Sequence, residues 1–490
     1  MNYKFSSEYR QAIFAWIASI ALTLVLLASV YDVAGAAPST GRWAIFGAYA
    51  AFTLLQSAVI LLIRRDLVRH GDIRTATRAL GYVQLLSLAV GNVFAAAAAF
   101  HLIRKYKKSE YTLAVYTLLT GLFVIAVSAL NLFKPYVADY FIPAMLALII
   151  VSLFHLVALV LVAKFGQESR ISPWMSIVAG LLLLTSVTGN LFALVLGTNL
   201  LLKLFSGGHS SRSGWANVWD KLSRHSTAMT GLFFIVFLFS ISVCSFLTFD
   251  YSLAVENNYG AILQPPSLAY PFGTDNFGRC VFSRIVFGAR ISLIVGGIST
   301  AIPVIVGGIL GALSGYYGKR TDNIIMRLLD ILYSVPGILL AIAIIAAFGA
   351  NTVNLILALS IGAIPSYART MRASVMQVSN LEYVEAARAL GVGNTTILFK
   401  HVVLNCLAPM IVHASLTIGG AVISTSSLSF LGLGVEPHIP EWGNILKLGS
   451  TYLESNSYLA VYPGLAIILL VLAFNFLGDG LRDALDPKLR

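Results

Sequence analysis

Long uninterrupted apolar runs constrain this chain more than any other feature. A helix needs about 20 apolar residues to cross the hydrocarbon core of a bilayer. Runs of that length recur along the whole sequence and predict about twelve transmembrane helices in two blocks of six, which makes the predicted fold class an all-α polytopic membrane protein. The predicted spans lie near residues 12–30, 44–63, 79–103, 111–133, 141–163, 174–202, 228–249, 288–314, 324–348, 352–376, 405–428 and 461–478.

Composition agrees with a membrane location for most of the chain. Of the 490 residues, 58% are hydrophobic and only 11% are charged, and the mean hydropathy is +0.83. Soluble domains carry roughly 25% charged residues. The net charge of +12 does not indicate nucleic-acid binding, because the basic residues lie in short loops between apolar runs, as the positive-inside rule predicts. The three cysteines are far apart and predict neither a metal site nor a disulfide.

A polar stretch separates the two blocks. Residues 206–226 are rich in Ser, Gly and Arg, and they predict a cytoplasmic linker between an N-terminal membrane block (1–205) and a C-terminal core (227–490). The basic loop from Arg64 to Arg78 places the N-terminus in the cytoplasm, and the span count returns the C-terminus to the same side. With these spans, the basic loop from Arg104 to Lys108 falls outside against the rule, so its side stays open.

The N-terminal block shows signs of an internal repeat. The sequence Gly-Asn-Val-Phe-Ala at 91–95 recurs as Gly-Asn-Leu-Phe-Ala at 189–193, and Leu102 and Lys105 recur as Leu200 and Lys203. This pattern predicts two copies of a three-span unit, inverted in the membrane as in many transporters. The role of the block stays open.

One polar segment, Ser379 to Asn405, stands between two long apolar runs of the second block. Ser379 and Glu382 have the spacing of a capping box, which predicts that a helix starts here. Good helix formers follow as far as Leu390, and Gly391 is predicted to end the helix with a positive φ. A second amphipathic run covers 395–403, so the segment predicts a helix, a glycine turn and a second helix.

The sequence Glu385-Ala386-Ala387, followed by Gly391, resembles the EAA loop of ABC-importer permeases. In that family the loop forms a coupling helix that inserts into a cleft of the cytoplasmic ATPase. Many relatives have a proline where Val403 to Asn405 stand here, so the resemblance does not fix the exit of the second helix. It implies an ATPase-coupling role for Glu382, Glu385, Ala386, Ala387, Arg388 and Gly391.

A second motif lies after the seventh predicted span. Residues 272–279 read Phe-Gly-Thr-Asp-Asn-Phe-Gly-Arg, with Ser283-Arg284 and Gly288-Ala289-Arg290 after them. The pattern resembles the signature of the second permease subunit of dipeptide, oligopeptide and nickel importers, with Cys280 at a usually acidic position. We expect this loop and residues 433–458 to lie together outside the membrane and to seat a substrate-binding protein. The predicted docking residues are Gly273, Thr274, Asp275, Arg279, Glu441 and Trp442.

A polar run near the end of the eleventh predicted span is the candidate pathway lining. Residues 424–434 resemble the end of the fifth core helix in the same family. A cluster of small polar residues within a span lines water or packs helices together. We predict pathway lining for Ser424, Thr425, Ser426 and Ser427, with helix packing as the alternative.

The resemblance covers about Lys221 to Arg490 and implies a six-helix type I ABC-importer permease core in a bacterial or archaeal cytoplasmic membrane. It implies a heterodimer with a second permease, two ATPase subunits that hold ATP and Mg²⁺, and an extracellular substrate-binding protein. The chain itself is expected to bind no cofactor, metal or nucleic acid and to be a transport subunit, not an enzyme. Di- and oligopeptides are the first expected substrates; nickel, metal chelates or opines are the alternative. A membrane enzyme or a sensor fused to a permease core is a further alternative.

Nucleotide-binding and catalytic motifs are absent from the sequence. Gly318-Lys319 is not part of a Walker A loop, because Leu313 stands at the position of its first glycine and Arg320 at that of its Ser or Thr. ATP hydrolysis must therefore come from another chain. His101 and His155, in or beside N-terminal spans, are expected to pack or to be solvated at helix ends, with haem binding or a proton relay as the alternative.

Overall fold

A computed structural model describes residues 6–30, 40–104, 108–134, 137–166, 171–205 and 214–485. Within these ranges the chain is helical and forms no strand, apart from one isolated bridge between Thr274 and Cys280. The apolar composition explains this, because a helix satisfies its backbone hydrogen bonds internally where no water is present. The predicted fold class of an all-α, multi-span membrane protein is confirmed.

The chain divides into two compact units. The first comprises Met1–Ile125 and Ala147–Met229, and the second comprises Ala126–Leu146 and Thr230–Arg490. This division differs from the predicted domains at two places: residues 126–146 of the N-terminal block group with the core, and residues 206–229 group with the first unit. The predicted linker is only partly described, since residues 206–213 lie outside the described ranges.

Three 3-10 turns lie between the described helices that precede the core. Those turns are Leu85–Val90, Leu130–Phe133 and Ser186–Thr188. The α-helices are α1 (Ser7–Val30), α2 (Thr40–His70), α3 (Thr75–Gln84), α4 (Val93–Ile103), α5 (Ser109–Ala129), α6 (Phe141–Phe165), α7 (Met175–Thr185), α8 (Leu191–Phe205) and α9 (Gly214–Arg224).

In the core, the helical segment from Asn394 to Leu431 contains a π-helix at Ile397–Val402 and a 3-10 turn at Val403–Cys406. The α-helices are α10 (Ser226–Thr248), α11 (Ser252–Val255), α12 (Val281–Tyr317), α13 (Lys319–Tyr333), α14 (Gly337–Phe348), α15 (Thr352–Val378), α16 (Glu382–Ala389), α17 (Asn394–Thr396), α18 (Leu407–Leu431), α19 (Trp442–Ser450) and α20 (Tyr458–Leu485).

Fewer helices can cross a membrane than the twelve predicted. Among the described residues, seven helices are long and apolar enough, or eight if α13 and α14 form one broken span. The break between α13 and α14 is an 80° bend at Ser334 to Gly337. Pro336 lies in this break, where it cannot continue the preceding helix.

The predicted spans 79–103 and 174–202 are wrong, because each is a helical hairpin. α3 and α4 turn back on each other, since Arg78 Nη1 donates to the Leu102 carbonyl at 3.1 Å and a Cβ at Gly81 would meet the Ala99 carbonyl oxygen at 3.1 Å. α7 and α8 do the same, because a Cβ at Gly197 would lie 3.0 Å from the Ala179 carbonyl oxygen. Neither half is long enough to cross a bilayer alone.

The two hairpins turn at equivalent residues of the predicted repeat. Gly91 and Gly189 have φ of 75° and 78°, a conformation that glycine adopts readily. The following asparagines accept hydrogen bonds from the first turns of α4 and α8, and each also donates to a residue 73 positions earlier. Each copy thus holds two long helices and a hairpin. Each copy therefore lacks the predicted third span, and the orientation of the two copies in the membrane stays a prediction.

In the second unit α12 and α15 pack closely along their length. A Cβ at Gly311 would lie 2.3 Å from the Ala368 carbonyl oxygen, so only a glycine permits this approach. Small residues at helix contacts replace the missing hydrophobic drive between helices in lipid. α18, α19 and α20 pack on this pair, and together they position the segments described next.

Candidate coupling helix, outer loops and pathway

The segment that resembles the EAA loop forms a short exposed rod. Of the residues of α16, only Val384 is buried. The predicted coupling residues Glu382, Glu385, Ala386 and Arg388 are exposed, Ala387 is half-buried and Gly391 is exposed. Leu390 at the end of the rod is 83% exposed. The rod therefore offers acidic, basic and apolar side chains together to a partner.

The glycine turn after α16 is closed as predicted. Gly391 has φ of 78°, which confirms the predicted left-handed residue. The Val392 N–H donates to the Ala387 carbonyl at 3.1 Å and the Gly391 N–H to the Arg388 carbonyl at 3.0 Å, the two bonds of a Schellman motif. The turn fixes where the rod ends.

The predicted capping box is wrong. α15 continues to Val378, and Ser379 is the residue that ends it. Leu381 stands at the N-cap of α16 and makes no side-chain cap hydrogen bond. The preceding helix extends further than the sequence pattern suggested, because Val375 and Met371 belong to a hydrophobic cluster that holds its last turns in place.

α16 stands on that cluster. Val384 packs with Ile397 and Leu398 from the following π-helix and with Val375 from α15. Tyr383 adds a polar tie, since its hydroxyl donates to the His401 carbonyl at 3.2 Å. A displacement of α16 is therefore transmitted to the start of α18 and the end of α15. The predicted second amphipathic run, 395–403, is helical, largely as π-helix.

The two outer segments lie together, as predicted. The Tyr458 hydroxyl lies 3.1 Å from both the Gln264 and the Thr274 carbonyl oxygens. Phe272 stacks on Tyr462 with ring centroids 4.2 Å apart. The loop before α12 and the start of α20 thus form one outer layer.

The six residues predicted to dock a binding protein are all buried in this layer. Asp275 shows why. Its carboxylate accepts from the Phe277 and Arg279 N–H groups, both at 2.9 Å, and from Arg279 Nε at 2.7 Å. Arg284 lies 3.8 Å from the same carboxylate and donates to the Ala254 carbonyl at 2.7 Å. These side chains hold the loop together and are not exposed at its surface.

Glu441 and Trp442 are buried at the start of α19. Glu441 is its N-cap: the carboxylate accepts from the Asn444 N–H at 3.1 Å and from the Ser426 hydroxyl at 3.2 Å. Burial raises the pKa of Glu441, although these hydrogen bonds oppose the shift. Trp442 Nε1 donates to the Ile285 carbonyl at 2.9 Å, which ties α19 to α12.

The polar run 424–427 is divided between two environments. Ser424 lines a cavity of about 210 Å³ inside the second unit. Thr425 and Ser426 are buried, and Ser426 bonds to Glu441 as described. Ser427 is half-buried. Only Ser424 of the four lies on the cavity wall, because the faces of an α-helix point in different directions.

The cavity is uncharged, and its mainly apolar wall carries several hydroxyl groups. Its wall carries five hydroxyl groups, and none of the described residues that line it has a charged side chain. Tyr367 and Thr417 hydrogen-bond to each other across the wall. Behind them His413 Nε2 lies 3.1 Å from the Ser366 hydroxyl, and its ring meets the Tyr367 ring edge-on at 4.5 Å. The hydroxyl-bearing lining residues are Ser299, Thr300, Tyr367, Thr417 and Ser424.

Most of these cavity residues escaped the sequence analysis. Ser299, Thr300, Tyr367 and Thr417 are isolated polar residues in apolar runs, where no motif marks them. Another missed contact joins α13 to α15: Arg372 holds Asp322 with two bonds of 2.6 Å. The signal for this ion pair was Arg372, an ionisable residue in the mostly apolar helix α15. An ionisable residue within a membrane helix indicates function or pairing by default.

The two N-terminal histidines named in the sequence analysis, His101 and His155, are buried. His155 Nε2 lies 3.0 Å from the Thr185 hydroxyl, a contact between α6 and α7. His101 is buried in α4. Both histidines are therefore buried residues of packed helices.

Comparison with known proteins places the core in a family. Residues 307–490 match the model described as binding-protein-dependent transport system inner membrane component, and residues 213–266 match the N-terminal TM domain of oligopeptide transport permease C. The glutathione transport system permease protein GsiD of Pectobacterium atrosepticum is 41% identical over 281 residues, 57% of this chain and 93% of that protein. The dipeptide transport system permease protein DppC of Alkalihalophilus pseudofirmus is 41% identical over 282 residues, 58% of this chain and 92% of that protein.

Among solved structures, a chain from inward-facing conformations of the MetNI methionine ABC transporter matches 41% of this chain and 97% of its own length, with a TM-score of 0.36 and 20% identity.

An all-helical core with several membrane spans and an exposed helix–turn segment defines a membrane permease. The chain belongs to the family of binding-protein-dependent transport permeases, the membrane subunits of ABC importers. It is a transport component that works in a membrane with ATPase subunits. The matches cover nearly all of both relatives, so neither has room for a counterpart of the N-terminal block.

Proposed function

We propose that this chain is one of the two permease subunits of an ATP-driven importer of small peptides. The observation that carries the proposal is the exposed α16, which stands on a buried cluster shared by α12, α15 and α18. In this proposal two ATPase subunits bind ATP and Mg²⁺ and receive α16 in a cleft, while this chain binds no cofactor. A second, related permease completes the pathway as a heterodimer.

Coupling then follows from the contacts of α16. When the ATPases close on ATP, they displace the rod. Val384 and Tyr383 pass the displacement to the π-helix and α18, and Val375 passes it to α15. Both helices carry hydroxyls of the cavity wall, namely Thr417 on α18 and Tyr367 on α15. Nucleotide-driven motion would therefore reach the pathway directly.

The outer layer is the proposed seat of a substrate-binding protein. Because the predicted residues are buried, exposed neighbours would make the contacts. Tyr259 is 70% exposed, and Glu256, Glu436, His438 and Glu454 are exposed as well. Their carboxylates would steer a partner that carries basic residues.

Peptides suit the cavity better than metal ions do. Hydroxyl groups donate to and accept from peptide amides, whereas Ni²⁺ prefers imidazole and other stronger ligands. The relatives are a glutathione and a dipeptide transport permease by name, and both substrates are short peptides. Nickel, metal chelates or opines remain the alternative substrates.

We propose a bacterial or archaeal cytoplasmic membrane with both termini on the cytoplasmic side. Lys134, which follows α5, donates to Ser283 at the start of α12, so both lie on the outer side. α5 therefore starts in the cytoplasm, and the basic loop from Arg104 to Lys108 is cytoplasmic, in agreement with the positive-inside rule. Residues 105–107 of that loop lie outside the described ranges. A cysteine at Lys108 should react from the cytoplasmic side and one at Asp139 from outside; the reverse would contradict this topology.

Reconstitution tests the function. The chain, its second permease, both ATPases and the binding protein are placed in liposomes, and ATP-driven uptake of labelled dipeptide, tripeptide and Ni²⁺ is measured. We expect peptide uptake that requires ATP and the binding protein, and that falls with Thr417→Val while ATPase binding is kept. Uptake of Ni²⁺ but not of peptides would overturn the substrate class. Peptide uptake without ATPases would overturn the mechanism.

A further inference from the structure

Three buried polar side chains stand in a row at the end of α5. Ser128, Asn131 and Lys134 are three residues apart, and the 3-10 turn Leu130–Phe133 runs between them. A 3-10 helix has three residues per turn, so side chains three apart lie above one another. Leu132 and Phe133 are 61% and 55% exposed, so this turn presents one polar face inward and one apolar face outward.

The first two members of the row hold the end of α10. Asn131 Nδ2 donates to the carbonyl of Thr248 at 2.8 Å, and Ser128 lies 3.3 Å from the Thr248 hydroxyl. Thr248 is the last residue of α10, and the last carbonyls of a helix have no partner within it. Asn131 therefore supplies the cap that α10 lacks in its own sequence.

The third member, Lys134, reaches α12. Its Nζ donates to the Ser283 hydroxyl at 2.7 Å and lies 5.2 Å and 5.5 Å from the rings of Phe249 and Phe282. Burial lowers the pKa of Lys134, while neighbouring Cys280 and Asp250 oppose the shift. A buried amine is costly unless donors and acceptors surround it. Its position between the end of α10 and the start of α12 is therefore a specific contact.

We propose that residues 126–146 are a built-in clasp, an accessory segment that seats on the outer ends of α10 and α12 and holds them together. The receptor surface consists of Thr248, Phe249, Phe282 and Ser283. All these residues belong to the second unit, although the clasp lies within the N-terminal block in sequence. The relatives have no room for the N-terminal block, within which the clasp lies in sequence.

The clasp adds polar contacts to the support of α10, whose end also packs on α12 through Phe249 and Phe282, with ring centroids 5.6 Å apart. Lower along the helix, Gly231 packs against the Ala473 carbonyl of α20, and Arg290 of α12 lies 3.0 Å from the Ser245 hydroxyl. Beyond Ser245, the clasp supplies the polar contacts just described. The N-terminal block is therefore not dispensable, and deletion of residues 1–215 should destabilise the core instead of leaving it intact.

Cys280 reports on the clasp, because it is buried beside Lys134. The full chain is purified with Asn131→Ala, Lys134→Ala or the control Asp139→Ala, which changes an exposed charge of the same segment. Two quantities are measured: the Tm in the otherwise unchanged chain, and the rate at which Cys280 reacts with a thiol reagent after Cys244→Ala and Cys406→Ala. We expect both clasp variants to lower the Tm and to raise the labelling rate about tenfold, which corresponds to about 1.4 kcal/mol.

Asn131→Ala is the decisive variant, because Asn131 contacts α10 and not Cys280. If it changes neither the Tm nor the labelling rate relative to Asp139→Ala, the clasp does not act as a unit and the proposal is overturned. The same holds if only Lys134→Ala increases labelling, since removal of the side chain beside Cys280 would account for that locally. Neither readout depends on substrate or ATPase, so failure here would leave the proposed transport function untouched.

Discussion

The coupling helix and the outer loops carry the two densest motifs of the chain, and the structure treats them in opposite ways. α16 turns its charged residues outward and buries only Val384. The outer loops turn Asp275, Arg279 and Glu441 inward and expose the residues between them. A motif rich in charge is therefore either an exposed surface for a partner or a loop whose charged side chains bond to groups of the same loop. The sequence pattern alone does not distinguish the two.

The two segments differ because α16 has the regular backbone hydrogen bonds of a helix, whereas the outer loop does not. α16 is a helix with its own backbone hydrogen bonds and a hydrophobic seat, so its polar side chains are free for other contacts. The segment from Asp250 to Cys280 has little regular structure, and its backbone groups need side-chain partners. Asp275, Thr274 and Arg284 supply them, which requires that they be buried.

The largest expected effect is the loss of Asp275. Asp275→Ala removes the acceptor of three hydrogen bonds and leaves Arg279 and Arg284 buried near each other. Breaking a buried pair in this way costs about 3–5 kcal/mol. We expect little folded protein in the membrane and a strongly lowered Tm, measured by size-exclusion chromatography of detergent extracts and by thermal unfolding.

Glu385→Ala is the matched control for Asp275→Ala, because it removes an exposed carboxylate from the other motif. Its Tm should equal that of the parent chain. Equal losses of stability in the two variants would remove the distinction between an internal and an external motif.

The second effect is functional. Gly391→Val places a β-branched residue at a φ of 78°, which is strained wherever the side chain points. We expect the protein to fold, with a local cost of about 1–2 kcal/mol, and to lose coupling, because the end of α16 shifts. Substrate uptake should fall without a matching fall in ATPase activity, and both are measured in reconstituted membranes.

Gly393 provides the comparison within the same loop. It has ordinary negative φ, and a Cβ there meets nothing within 4 Å. Gly393→Ala should therefore retain uptake. Normal uptake by a normally folded Gly391→Val chain would show that the Schellman turn is not needed for coupling.

A smaller effect is expected from charge reversal on the rod. Glu385→Lys changes an exposed residue, so the Tm should stay constant. Association with the ATPase should weaken by roughly 1 kcal/mol or less, since exposed ion pairs contribute about that much. The loss should shrink as salt increases, because screening suppresses the interaction. Co-purification at low and high salt measures it, and an effect that does not change with salt would indicate a packing defect.

Much of the fold followed from the sequence, and the exceptions have clear causes. Apolar runs predict membrane helices well, and Gly391 forms the turn that the sequence predicts. The spans 79–103 and 174–202 were misjudged because length and hydropathy do not reveal that a chain turns back on itself. The repeated Gly-Asn pairs were the signal, since both asparagines cap the second helix of a hairpin.

The site was harder to predict than the fold, because burial depends on contacts far apart in sequence. Lys134 reads as an ordinary charge at the end of a span, yet its partner Ser283 lies 149 residues further on. Ser424 and Ser426 are two residues apart and face a cavity and a carboxylate respectively. The family resemblance identified which segments matter, whereas the direction in which each side chain points required the packed helices.

A pH-dependent effect is expected at Glu441, a buried carboxylate whose pKa lies above its ordinary value of 4.5 because of burial. A raised pKa in the folded state means that stability is fully present below the unfolded value and is lost as the pH rises through the folded value. Glu441→Gln keeps an acceptor for the Asn444 N–H without the charge. The free energy of unfolding of Glu441→Gln relative to the parent should therefore be higher at pH 8 than at pH 5, by about 1.4 kcal/mol for each pKa unit of the shift. The control Glu454→Gln changes an exposed carboxylate and should show no such trend. A Glu441→Gln difference that is constant or reversed with pH would place Glu441 among the exposed charges, like those of α16.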